Sequence, residues 1–428
     1  MPDDIRLEEG AAASPFNRTV QHDAKRAAIL SQAARLFNYK GSRATTLQDI
    51  AETLGLTKTS LYYYVKTKED LIYQCYMATL EHNHRTLDEI EAAHENPVDR
   101  ACAFVLRHFE YWQAAQAGRA PHNAVLLEIA GLKGPHREDV EARYIDMFKR
   151  LRNYLREGIA QSCLRPVDPT STVLAILGSL DWTFSWLHAI PADKVRQSAE
   201  EAVDLLKHGL AAGPGEQPAS IPQLEDEKTA ALQGFNREQQ NRLKQEAFFK
   251  TGTRCFNKKG FSGTSLEEIA EQLSVSKGAF YYHIKNKEDL LFSCYERSMD
   301  IVEKLHAEAA SVEGSGLQKA EYVCRRTFLA QNSSEGPLIR YTSITALPME
   351  RRRKIIERTE ASNQRFGEFL EQGIADGSVR PVNTFIAQHL IAGAMNAAMD
   401  INLWRKVEDI DSAAIEYFDL FFNGLLPR

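Results

Sequence analysis

The chain is poor in each feature that marks an exported, membrane-embedded or metal-holding protein. Its 428 residues include six cysteines (Cys75, Cys102, Cys163, Cys255, Cys294, Cys324), with no Cys-x-x-Cys and no Cys/His cluster at zinc spacing. A reducing compartment follows from that, and a disulfide framework is excluded. No apolar run approaches the ~18 residues of a membrane span, and the longest, 173–180, is broken by Gly and Ser. The start, Met1-Pro-Asp-Asp-Ile-Arg-Leu-Glu-Glu9, is acidic where a secretory leader would be basic and then apolar. The expectation is a cytoplasmic, nucleoid-associated protein without a membrane partner. Catalytic signatures are missing as well: no Gly-rich phosphate loop after a strand, no Gly-x-Ser-x-Gly, no His-Glu-x-x-His. His108, His122 and His136 stand alone and read as surface or core histidines. Neither enzymatic activity nor a metal or cofactor is expected.

What is present is written twice. Arg35-Leu-Phe-Asn-Tyr-Lys-Gly41 returns as Arg254-Cys-Phe-Asn-Lys-Lys-Gly260, an offset of 219 residues from Phe37 to Phe256. The offset holds from Thr45-Thr-Leu-Gln-Asp-Ile-Ala-Glu52 to Lys68-Glu-Asp-Leu71. A weaker echo, Arg165-Pro-Val-Asp168 against Arg380-Pro-Val-Asn383, stands at 215, so four residues are lost between, in loops. The stretch from Ala212-Gly-Pro-Gly onward, rich in Pro, Gly and acids, reads as a linker over 212–234, and residues 1–16 read as disordered. The expected division is 17–72 and 73–211 in one unit, 235–291 and 292–428 in the other.

Both units read as all-α. Thr45 with Gln48, and Thr264 with Glu267, have the pattern of a capping box; Thr57, Ser276, Thr67 and Asn286 can cap the helices that follow. Two helices of about eight residues joined by Leu54-Gly55-Leu56 make a helix-turn-helix. The second would project Lys58, Thr59, Tyr62 and Tyr63, short and aromatic groups suited to base edges and phosphates. Three consecutive tyrosines cannot all face a core, because successive helical positions point in different directions. Lys66 and Lys68 open a helix, where a cation opposes the macrodipole unless a phosphate lies there. The net charge of −6 hides a division: residues 25–70 hold eight Lys/Arg against four acids and 244–289 eight against six, so two basic heads sit on an acidic body.

The stretch Phe37…Gly41…Thr45…Ile50-Ala51…Leu54-Gly55-Leu56-Thr57…Leu61-Tyr62-Tyr63-Tyr64-Val65…Lys68-Glu-Asp-Leu71 resembles the DNA-binding domain of the TetR family of bacterial regulators, and Phe256 to Leu290 resembles it equally. The resemblance implies two units in one chain, each a three-helix helix-turn-helix domain plus a helical effector and dimerisation domain, joined as an intrachain pseudo-dimer able to associate further. It implies base or phosphate contact by Lys58, Thr59, Tyr62, Tyr63, Lys277, Gly278, Tyr281 and Tyr282, and phosphate contact by Thr45, Tyr64, Lys68, Thr264, His283 and Lys287. Duplex operator DNA is the implied partner. Thr59/Gly278, Ser60/Ala279, Leu61/Phe280 and Tyr64/His283 differ, so two unlike half-sites are expected, ~34–36 Å apart. By analogy, 137–188 and 350–403 should pack against each other, with Gly178 and Gly393 allowing close approach.

Trp182 and Trp186, at i and i+4, should share a helix face. Together with Trp112 and Arg143 they are the candidate effector contacts, although core packing is the simpler role for the tryptophans. The segment from Arg165 to Trp186 resembles TetR-type regulators of fatty-acid and steroid breakdown, which implies a small apolar or aromatic effector or a CoA thioester; Arg143, Arg150 and Arg152 or Arg351-Arg-Arg-Lys354 would then meet its phosphates, unless these are solvated helix faces. The expected function is a repressor released by that effector. The alternative is a duplicated helical ligand-binding protein, or an enzyme, without DNA binding.

Overall fold

The computed structural model describes residues 15–126, 129–213, 237–332 and 336–427. The expected disordered start and linker lie outside them, apart from Pro15 and Phe16, which open the first helix, and Ala212–Gly213. The first unit runs α1 (Pro15–Lys40), α2 (Leu47–Thr53), α3 (Lys58–Tyr62), α4 (Lys68–Ala93), α5 (Pro97–Gln116), α6 (Gly134–Ala160), α7 (Pro169–Asp181), α8 (Thr183–Trp186) and α9 (Val195–His208). The second repeats the order as α10 (Arg237–Gly263, kinked at Gly260), α11 (Leu266–Gln272), α12 (Lys277–His283), α13 (Lys287–Ser311), α14 (Gly316–Asn332), α15 (Met349–Asp376), α16 (Thr384–Ala397), α17 (Ile401–Trp404) and α18 (Ile410–Asn423). Among the described residues there is no strand, only a single bridge between Ala211 and Val379. No described helix is long and apolar enough to cross a membrane.

Local chemistry sets the short helices. Thr57 and Ser276 accept the amides of Ser60 and Ala279, and Thr67 and Asn286 accept those of Asp70 and Asp289, satisfying donors that a helix start otherwise leaves unpaired. The capping box falls one residue later than expected. Thr46 pairs with Asp49, and Ser265 caps through the amide of Glu268. Thr45 and Thr264 are instead buried, their hydroxyls donating to the carbonyls of Gly41 (2.9 Å) and Gly260 (2.8 Å). They pin the turn that brings α1 and α10 back toward the next helix.

The halves meet through α7 and α16, which cross with Gly178 against Gly393. A Cβ on Gly178 would stand 2.3 Å from the Ala397 Cβ and 2.9 Å from the Gly393 carbonyl; one on Gly393 would stand 2.6 Å from the Gly178 carbonyl. The Ser179 hydroxyl donates across to the Leu390 carbonyl at 2.7 Å. Beside this crossing, α9 and α18 exchange their tails. Leu210 donates to Phe421, Leu425 donates to Leu206, and Gly209 and Gly424 lie in contact at positive φ. The Arg-Pro-Val echo belongs to this exchange. Arg165 pairs with Asp419 of the second unit, Arg380 pairs with Asp204 of the first at 2.6 Å, and their amides donate to Leu425 and Leu210. The expected pairing of 137–188 with 350–403 holds for α7 and α16 and is corrected for the longer helices α6 and α15. In each unit α7 or α16 makes the contact, α9 or α18 flanks it, and α6 and α15 pack largely on their own unit's helices. Trp404 is an exception that stacks on Phe148 of α6 at 3.8 Å.

Since no side chain fits at the crossing, Gly178→Val should lower global stability by about 1–3 kcal/mol through overpacking. Denaturant unfolding of the full chain checks this; an unchanged midpoint would mean that the helices separate freely.

Candidate nucleic-acid interface and the cavities behind it

The second helix of each helix-turn-helix is anchored by one large apolar side chain, Leu61 in α3 and Phe280 in α12, both 0% exposed. With that face fixed, the opposite face must carry Lys58, Thr59, Tyr62 and Tyr63, or Lys277, Gly278, Tyr281 and Tyr282, and all eight are exposed. Tyr63 and Tyr282 are 78% and 82% exposed, an unfavourable placement for so much apolar surface in an isolated protein. The turn before each helix takes a left-handed residue, Gly55 at φ 64° and Ser274 at φ 54°.

The other expected phosphate contacts divide. Tyr64 stacks on the His22 ring at 4.9 Å, and His283 lies 5.7 Å from Phe248, so both are half-buried at the edge of the reading surface. Thr45 and Thr264 are corrected, because a buried hydroxyl already donating to a carbonyl cannot meet a phosphate. The Lys68 ammonium donates to the Arg43 carbonyl (3.1 Å) and that of Lys287 to the Thr264 carbonyl (2.8 Å), each holding its own head's loop. Sequence reasoning passed over Arg43. Its guanidinium lies 4.2 Å over the Phe261 ring and 3.2 Å from the Glu288 carboxylate, so the first head touches the second. Burial, then the Arg43 charge, lowers the Lys287 pKa. Tyr281 donates to Glu267 at 3.0 Å; in the first head Gln48 stands in the equivalent place and its amide donates instead to Glu52 at 2.7 Å.

Among the described residues, three of the cavities behind the heads bear on the expected effector contacts. The first lies within the first unit and is walled by Trp112, His82, His108, Tyr144, Asp181 and Phe184 among others. The Asp181 carboxyl has no hydrogen-bond or salt-bridge partner among the described residues, and burial pushes it up to about 7. His108, whose ring meets the Thr183 hydroxyl at 2.8 Å, is pushed down to about 4 by burial. The second lies within the second unit but takes Trp182 from the first as part of its wall. The third separates the first head from the second body, with Arg352 donating to the carbonyls of Tyr39 and Lys40.

The candidate effector contacts do not converge. Trp112 walls the first cavity and Trp182 the second. Trp186 is core, stacked on His389 with ring centroids 5.4 Å apart. The tryptophans fail to share a face because α7 ends at Asp181, leaving Trp182 as its C-cap before α8 begins at Thr183. Arg143 is exposed and walls none of the three cavities. Arg150 pairs with Asp88 and Glu91, Arg351 with Asp289 and Lys354 with Glu296, as solvated helix faces do.

A family model described as bacterial regulatory proteins of the tetR family matches residues 29–75 and again 248–294. A second, described as the tetracyclin repressor-like C-terminal domain, matches 94–210 and 325–400. Among curated relatives, the uncharacterized HTH-type transcriptional regulator YerO of Bacillus subtilis is 53% identical over 53 residues, 12% of this chain and 18% of that protein. The HTH-type transcriptional repressor KstR2 of Mycolicibacterium smegmatis is 25% identical over 162 residues, 38% of this chain and 78% of that protein. Among solved structures, AibR in complex with isovaleryl coenzyme A and operator DNA is 26% identical, covering 42% of this chain and 97% of that one at a TM-score of 0.36.

Two outcomes test this geometry. Ser274→Gly relieves a left-handed serine and should stabilise the second head by roughly 1 kcal/mol, read by heat unfolding. The folded state also favours the acid form of Asp181, so the stability tied to this group is present below its ordinary value of 3.8 and lost as the pH rises through 7. Asp181→Asn should therefore gain on the unmodified protein across that window and hold its advantage above it; a pH-independent difference would show that the carboxyl is solvated.

Proposed function

The chain belongs to the TetR family of bacterial regulatory proteins, twice over, and from that premise we propose that it is a one-chain repressor that reads an operator with two unlike half-sites and releases it when a small molecule enters the body. The reading heads are residues 17–72 and 235–291, the effector bodies 73–211 and 292–428, and the compartment is the cytoplasm. The observation that carries this is the pair of capped reading helices, each presenting two bare tyrosines and a lysine. Such a surface is costly in water and useful against base edges and phosphates. Residues Lys58, Thr59, Tyr62 and Tyr63 face one half-site and Lys277, Gly278, Tyr281 and Tyr282 the other, with Tyr64 and His283 at the margin.

Release follows from how the heads are held. The first head rests on the second through Arg43 and on the second body through Arg352. A ligand that widens a body changes the separation of the heads and so their fit to the two half-sites. The cavity walls favour an apolar or aromatic effector over a CoA thioester. Among the described residues that wall the first two cavities, Arg107 is the only Lys or Arg, and it lies 3.6 Å from the Glu110 carboxylate. A nucleotide's phosphates would lack cations there.

Titration of the full chain against duplex operator DNA at several salt concentrations tests the proposal. Affinity should fall steeply with salt, and Lys58→Ala should reduce the slope by about 1. Tyr63→Ala should cost roughly tenfold in affinity and lose protection over one half-site, Tyr282→Ala over the other. A palindromic footprint affected alike by both variants would refute the unlike half-sites, and salt-independent or absent binding would refute DNA recognition itself.

A further inference from the structure

The two bodies descend from one unit, and their cavities are walled by residues at corresponding positions. His108 and Trp112 of the first correspond to Thr327 and Gln331 of the second at the offset of 219; Tyr144, Met147, Asp181 and Phe184 correspond to Thr359, Ser362, Asn396 and Met399 at 215. Each of these residues walls its own cavity. The fold has therefore kept the site while the chemistry of its wall has changed at every one of these places.

In the first cavity the changes leave aromatic rings around a carboxyl group without a partner. The Asp181 carboxyl has no salt-bridge or hydrogen-bond partner among the described residues. The histidines on the same cavity wall, His82 and His108, are held neutral by burial, so they offer the carboxyl no cation. Arg107 is occupied with Glu110. An unpaired carboxyl among rings is the complement of a cation on an aromatic body, which gains both the ion pair and the ring faces.

In the second cavity no Asp, Glu, Lys or Arg among the described residues reaches the wall. Four buried polar atoms there have no partner among the described residues: Trp182 Nε1, His306 Nε2, Thr327 Oγ1 and Gln331 Oε1. His306 Nδ1 lies 2.8 Å from the Val302 carbonyl, which can only accept, so Nδ1 carries the proton and Nε2 is an acceptor. The wall thus offers one fixed donor, two fixed acceptors and a hydroxyl that can be either. An uncharged molecule bearing hydroxyl or amide groups satisfies all four without bringing an unpaired charge into the cavity.

We propose that the two cavities are sites for chemically different ligands, an aromatic cation held by Asp181 in the first unit and an uncharged, hydroxyl- or amide-bearing molecule in the second, so that one chain combines two inputs. This rests on the effector-responsive reading above. It is tested by calorimetric titration of the full chain with three matched probes: naphthylethylamine, naphthylethanol and naphthylacetate. The amine should bind at least about tenfold more tightly than the acetate, and Asp181→Asn should abolish that preference. The alcohol should still bind protein saturated with amine and should weaken in Thr327→Val, which leaves the amine unaffected. Asn396→Asp, which places the carboxylate at the corresponding point of the second cavity, should create a second amine site. Competition of amine and alcohol for one site, an unchanged amine affinity in Asp181→Asn, or no binding of either probe at millimolar concentration would overturn the proposal. The titrations contain no DNA. A chain that passes them yet never binds a duplex refutes only the regulator reading, and one that binds its operator but does not separate the probes refutes only this inference.

Discussion

The crossing of α7 over α16 governs the rest of the molecule. Two glycines meet where neither helix has room for a Cβ, so backbone lies on backbone and the separation of the halves is set by van der Waals contact. On either side the tails of α9 and α18 are exchanged and closed by Arg165 with Asp419 and Arg380 with Asp204. One partner of each pair is an arginine, whose planar fork also reaches backbone carbonyls of the opposite unit, Gly424 and Gly209. Neither body can turn far about the other without breaking a buried glycine contact or a cross-unit ion pair. The heads inherit their placement from this joint.

Within a symmetric frame the details are unequal. Arg43 leans on Phe261, while its counterpart in the second head is Ser262. Arg352 holds the end of α1, whereas Arg137 at the matching place pairs with Glu141 on its own helix. One apolar core runs from the first head through both bodies, and the second head has a core of its own around Phe248, Phe256 and Phe280. Two identical chains could not hold such differences, since each substitution would appear on both sides. Joining the units in one polypeptide removes that constraint.

Much of the fold was legible in the sequence because it rests on local chemistry. The repeat, the caps at Thr57, Thr67, Ser276 and Asn286, and the left-handed turn at Gly55 and Ser274 are each set by a few adjacent residues. The capping box was misplaced by one because Thr45-Thr46 offers two hydroxyls, and only burial decides which one turns inward. The partners of Arg165 and Arg380 lie more than 170 residues away in sequence, so an evident motif gave no sign of its role. The tryptophans misled for a related reason: helical spacing holds only while the helix continues, and α7 stops one residue before Trp182. Which residues wall a cavity depends on packing between units, and periodicity carries no record of it.

Carrying both halves of the exchange in one polypeptide governs how reliably they meet as well as how they sit. Two separate subunits must find each other, and at a few copies per cell much of such a protein stands unpaired. Here the second half is always present at the effective concentration imposed by its tether. Pairing becomes independent of expression level, and the halves are not free to mix with related proteins in the same cell.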